Sequence, residues 1–96
     1  MTEEPDIGVP RPAELEEPVV IYTRPLCVYC TLALRLLRAR HVPFREVCVS
    51  RNTRARAWLL DASGQHTVPQ VFIRGRSVGG YTELAALDRA GGLAGL

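Results

Sequence analysis

A chain of 96 residues makes one small domain, with a core too thin to support a second catalytic domain or a large lid. Its apolar runs fall far short of the roughly 18 residues that a membrane span requires. The acidic, proline-rich start has neither the basic nor the apolar region of a signal peptide, so a cytoplasmic protein with no membrane role is expected. The net charge of +2 conceals an asymmetry: residues 1–17 hold Glu3, Glu4, Asp6, Glu14, Glu16 and Glu17 against Arg11 alone, whereas residues 18–96 carry eleven arginines against four acids. A basic body suits a small anionic substrate or an acidic partner surface, and with no basic-aromatic run or recognition motif no nucleic-acid partner is expected.

In chain order, Pro5, Pro10 and Pro12 combine with the acidic charge, and Pro18 follows directly. Residues 1–17 therefore read as a flexible acidic tail and residues 18–96 as the folded domain. The β-branched run Val19–Thr23 predicts a buried strand. Arg24-Pro25-Leu26 turns the chain into Cys27-Val28-Tyr29-Cys30, and a helix follows to about Arg40. Its apolar face holds Ala33, Leu36 and Leu37, widened by Leu32 and Leu34, while Arg35 and Arg38 form a solvated stripe. Pro43 prevents continuation, and Phe44–Val49 alternates as a second strand. Ser50 or Asn52 can cap a second helix carried by Ala55, Trp58, Leu59 and Ala62, with Gly64 as its terminator. Val71-Phe72-Ile73, the turn Arg74-Gly75-Arg76 and Ser77-Val78 read as a hairpin closed by Gly79-Gly80. Thr82 can cap a last helix built on Leu84, Ala85 and Leu87. The order β-α-β-α-β-β-α predicts an α/β fold: a mixed four-stranded sheet flanked by three helices.

Three segments carry chemistry. A strand, a short loop and a helix place Cys27 at a helix N-terminus, where unpaired N–H groups and the helix dipole stabilise a thiolate. Cys30 lies one turn further in and would act as the resolving thiol. Such a pair in a βα setting reads as a thioredoxin-like redox site. Cys48, His41 and His66 are the only additions available for a zinc site and lack the second closely spaced ligand pair, so no metal is expected. Three cysteines also do not make a structural disulfide framework. Thr67-Val68-Pro69 opens a strand with a proline whose missing N–H lies outside the ladder, and on spacing alone its peptide bond is expected trans. Gly79-Gly80-Tyr81-Thr82 reads, on chemistry alone, as a tight turn with a threonine cap, although such a helix start also favours a carboxylate.

Taken together, residues 21–30, Thr67-Val68-Pro69-Gln70-Val71-Phe72-Ile73 and Gly79-Gly80-Tyr81-Thr82-Glu83-Leu84 resemble the glutaredoxins of the dithiol type. The three ordered motifs span nearly all of residues 18–96. The resemblance implies a thioredoxin fold and a cis bond before Pro69, reversing the expectation from spacing. It also implies an oxidoreductase that reduces protein disulfides and glutathione mixed disulfides, with glutathione as reductant and no tightly bound cofactor. By the same resemblance Cys27 is the nucleophile and Cys30 the resolving cysteine. Arg24, Tyr29, Gln65, Thr67, Val68, Pro69, Gly80, Tyr81 and Thr82 would form the glutathione groove. Arg24 stands where lysine is usual and keeps the charge. Gln65 would meet the glycyl carboxylate, the Val68 backbone the cysteinyl moiety, and residues 80–82 the γ-glutamyl end.

Two departures matter. Val28 replaces a common proline, and Thr82 an aspartate that pairs with the glutathione amino group. Cys48 sits where an acidic residue is common and reads as a small buried or half-buried side chain rather than a redox group. The expected partners are glutathione and disulfide-bearing proteins, and the expected state is a monomer. The alternatives are a redoxin recycled by thioredoxin reductase or another low-molecular-weight thiol, serving for example ribonucleotide reductase, and a module that binds an iron–sulfur cluster between subunits.

Overall fold

The computed structural model describes residues 4–96, so Glu3 of the expected tail lies outside the described residues. Strand β1 (Val19–Thr23) is followed by α1 (Val28–Ala39), β2 (Phe44–Cys48), α2 (Thr53–Ser63), β3 (Gln70–Ile73), β4 (Arg76–Gly79) and α3 (Tyr81–Arg89). The sheet order is β2-β1-β3-β4, with β1 and β2 parallel and the other two pairs antiparallel. The parallel pair is joined by α1, as a crossover between parallel strands requires. Arg74 and Gly75, both at positive φ, make the tight turn that a right-twisted hairpin favours.

Every residue of β1 is buried, because both sheet faces are covered. Side chains alternate along a strand. Val19 and Ile21 face one core with Ala33 and Leu37 of α1, Val71, and Leu84 of α3. Val20 and Tyr22 face the other core with Val47, Ala55, Leu59 and Phe72. At the far end of α1, Arg40 donates two hydrogen bonds to the Asp88 carboxylate, at 2.8 and 3.0 Å, tying α1 to the end of α3.

Two expectations about caps resolve differently. Asn52, rather than Ser50, caps α2: its side-chain oxygen accepts from the Ala55 N–H at 2.9 Å, the usual N-cap geometry. Thr82 does not cap α3. The N-cap is Gly80, which has no side chain to offer, and Glu83 reaches back so that Oε1 accepts the Gly80 N–H at 2.8 Å. This is one half of a capping box, and it sits in the chain as Gly-x-x-Glu.

The described part of the acidic segment also differs from a free tail. Ile7 is buried in the core beside α2, with Val9 and Leu15 packed against the same cluster. A short 3-10 turn forms at Pro12–Glu14. Asn52 donates from Nδ2 to the Ile7 carbonyl at 2.8 Å, so the residue that caps α2 also holds this strap. The Tyr22 hydroxyl donates to the Pro10 carbonyl at 2.8 Å. Tyr22 is wholly buried, and its phenol would lack a partner without that carbonyl. Burial pushes its pKa above the ordinary tyrosine value, Glu14 adds to the rise, and Arg11 opposes it. Charge is managed locally, with Arg11 Nε 3.4 Å from Glu4 and Nη1 3.7 Å from Glu14.

Candidate active site

The site forms where β1 ends and α1 begins. Cys27 is the N-cap of α1, and its sulfur accepts the Cys30 N–H at 3.2 Å. A helix N-terminus leaves N–H groups unpaired, and one of them is spent on this sulfur. The Thr31 N–H and hydroxyl both donate to the Cys27 carbonyl, at 3.1 and 3.2 Å, which fixes the backbone under the thiol. Cys27 is 8% exposed and Cys30 3%, so a partner reaches Cys27 first.

Cys30 is the more buried of the two thiols. Burial pushes the Cys30 thiol up to about 12, its hydrogen bond with Cys27 adds to the rise, and the Arg24 backbone and guanidinium oppose it. Cys30 is therefore protonated at neutral pH. The rim around Cys27 is apolar and open: Leu26 is fully exposed at a φ of 56°, and Val28 and Tyr29 are exposed as well.

On the other side of Cys27 stands the loop ahead of β3. The Val68–Pro69 bond is cis, and the Cys27 thiol lies 3.7 Å from the Val68 carbonyl, to which it donates a long hydrogen bond. Val68 and Pro69 open into a groove of about 300 Å³ lined also by Tyr29, Gln65, Thr67, Gly80, Tyr81, Thr82 and Glu83. Close backbone approach builds one wall. A Cβ on Gly80 would sit 3.3 Å from the Pro69 carbonyl, and Gly79 has a φ of 120° that disfavours other residues. The rings of Tyr29 and Tyr81 face each other across the groove at 6.3 Å. The start of α3 contributes N–H groups of a kind that bind carboxylates.

Of the groove residues expected from the sequence, all but Arg24 line this one cavity. Arg24 is exposed and is not among the lining residues. Glu83 was missed as a groove residue, although the Gly-x-x-Glu spacing at the start of α3 signals a side chain folding back toward the loop. Cys48, expected to be buried or half-buried, is instead exposed at the end of edge strand β2. Among the described residues no group of three or more His, Cys, Asp or Glu side chains is arranged to hold a metal, and no helix is long and apolar enough to cross a membrane.

Comparison with known proteins agrees with this geometry. Residues 19–78 match the glutaredoxin family model. The chain is 47% identical over 79 residues to a glutaredoxin of Neisseria meningitidis serogroup A, covering 81% of this chain and 93% of that protein. It is 43% identical over 75 residues to glutaredoxin 3 of Escherichia coli K12, covering 78% and 90%. Among solved structures it is similar to a buckwheat glutaredoxin–glutathione complex, with a TM-score of 0.76 and 29% identity over 80% of this chain and 73% of that one. It is also similar to a dithiolic glutaredoxin of Trypanosoma brucei brucei, with a TM-score of 0.75 and 36% identity over 83% and 86%.

Proposed function

The chain belongs to the glutaredoxin family of thiol–disulfide oxidoreductases, and on that premise we propose that it draws electrons from glutathione to reduce protein disulfides and glutathione mixed disulfides through Cys27 and Cys30. The observation that carries this reading is the groove beside Cys27. It offers helix N–H groups at one end, an amide side chain at Gln65 and a backbone edge at Val68, which together match a tripeptide with carboxylates at both ends.

With a glutathione mixed disulfide, the Cys27 sulfur attacks the glutathione sulfur. The Cys27–glutathione bond forms, the old S–S bond breaks, and the substrate thiol leaves with the electron pair. A second glutathione attacks that bond, releasing glutathione disulfide and restoring Cys27. With a protein disulfide, Cys27 binds one substrate sulfur and the other leaves as a thiol. Cys30 then gives up its proton and attacks Cys27. This releases the second substrate thiol and leaves a Cys27–Cys30 disulfide, which two glutathiones reduce. Charge on the Cys27 sulfur is met by the Cys30 N–H and by the helix dipole.

The glycyl carboxylate lies at Gln65, the cysteinyl backbone pairs with Val68, and the γ-glutamyl carboxylate meets the N–H groups of Tyr81 and Thr82. Among the described residues Glu83 is the one carboxylate lining the groove, and it faces the substrate ammonium in place of the aspartate that Thr82 replaces. The apolar rim of Leu26, Val28 and Tyr29 suits the side chains flanking a protein's cysteine. The protein acts as a cytoplasmic monomer with no tightly bound cofactor.

Recycling of the oxidised protein is the test. Glutathione with glutathione reductase should sustain turnover of a glutathione mixed disulfide, and thioredoxin reductase should not. The reverse pattern would replace glutathione with another electron source.

A further inference from the structure

Gln70 is fully buried and takes no part in the thiol–disulfide exchange. An amide at a core position in a strand is demanding, because its two donors and its acceptor all seek partners. Its side chain reaches back along the loop before β3. Nε2 donates to the Thr67 carbonyl at 2.9 Å and to Gln65 Oε1 at 2.9 Å, with a longer 3.5 Å approach to Thr67 Oγ1. Its Oε1 has no donor among the described residues.

These contacts fix both amide orientations. A backbone carbonyl only accepts, so the Gln70 atom beside Thr67 must be the NH2 group. The Gln65 atom facing that NH2 must then be oxygen, because two donors would repel. Gln65 lines the groove, and its backbone N–H is held by Ser63 Oγ at 3.1 Å. With its oxygen occupied from behind, the end it has left for a bound group is its NH2.

We propose that Gln70 is a positioning residue that locks the Gln65 amide with its NH2 toward the substrate, so that this end of the groove accepts a carboxylate and disfavours a cation. The inference rests on the reading that the groove takes glutathione.

Gln70→Leu separates positioning from folding. It removes the orphan oxygen, and the groups it frees on Gln65 and Thr67 belong to exposed residues that water can satisfy. Steady-state kinetics would use the mixed disulfide of glutathione with mercaptoethanol, and an analogue whose glycine is replaced by ethylamine and so lacks the carboxylate. Q70L should raise KM for the first about five- to tenfold with kcat little changed, and leave KM for the analogue as it was. In a Gln65→Ala background it should have no further effect. Gln70→Met provides the same comparison where Q70L lowers Tm.

A KM that rises equally for both substrates would make Gln70 a structural residue only. A KM unchanged in Q70L but raised in Q65A would show that Gln65 orients itself. Either result overturns the proposal while leaving glutathione as substrate. Failure of the unmodified protein to turn over the glutathione substrate would remove both readings together.

Discussion

Ile7→Ala tests whether the N-terminal strap belongs to the folded domain. Ile7 is 4% exposed and packs in the cluster that holds Tyr22, Leu59 and Phe72. The substitution removes three buried carbons, at about 0.8 kcal/mol each, and leaves a cavity that the surroundings fill only in part. The expected loss is about 2–3 kcal/mol, which for a domain of this size lowers Tm by roughly 10–15 °C. If the strap detaches instead of relaxing, the Tyr22 hydroxyl loses the Pro10 carbonyl, and the cost stays of that order. Trp58, the single tryptophan, packs against the same cluster and stacks on Phe72 at 5.6 Å, so its emission reports the change. Calorimetry and tryptophan fluorescence would be compared with an Arg35→Ala surface control. No residue of the strap lines the groove, so kcat/KM at 25 °C should stay near that of the unmodified protein. A Tm within about 1 °C of the parent, with unchanged Trp58 emission, would refute the reasoning and return this segment to the status of a free tail.

The Cys30 thiol titrates at about 12 in the fold against 9.0 in its ordinary state. Its contribution to stability is therefore complete below about pH 9 and is lost as pH rises through the window between those values. Urea unfolding of the reduced protein should weaken over that range, and Cys30→Ser should flatten the decline; an equal slope in both would contradict the assignment, although Tyr22, shifted in the same direction, leaves a residual fall in each. Thr82→Asp places a carboxylate in the first turn of α3 beside Glu83. It should lower KM for the glutathione mixed disulfide roughly three- to tenfold by pairing with the substrate ammonium, and should raise stability by about 0.3–1 kcal/mol through the helix dipole; an unchanged or higher KM would remove the ammonium from that end of the groove.

Much of the architecture was legible in the chain because local signals and tertiary demands agree. Val19–Thr23 is β-branched and fully buried, Gly64 ends α2 at a φ of 75°, and Arg74-Gly75 is turn chemistry at a true hairpin. The groove was legible only through the resemblance. Residues 65–69 and 80–82 are far apart in sequence, and no periodicity announces that Pro69 and Gly80 touch. Where reading failed, long-range partners decided. Proline and charge mark residues 1–17 as a poor core segment, but a buried tyrosine needs a hydroxyl partner, and Pro10 supplies it from twelve residues away. Thr82 looked like a cap by composition, yet α3 starts earlier, with Gly80 as its N-cap and Glu83 reaching back to the Gly80 N–H.

On this mechanism Cys27 alone suffices for glutathione mixed disulfides, while protein disulfides need Cys30 as well. Cys27→Ser and Cys30→Ser, assayed side by side on both substrate types, test it most directly. Cys27→Ser should abolish both activities, and Cys30→Ser should keep the first while losing most of the second. Full activity of Cys27→Ser, or equal loss of both activities in Cys30→Ser, would contradict the account.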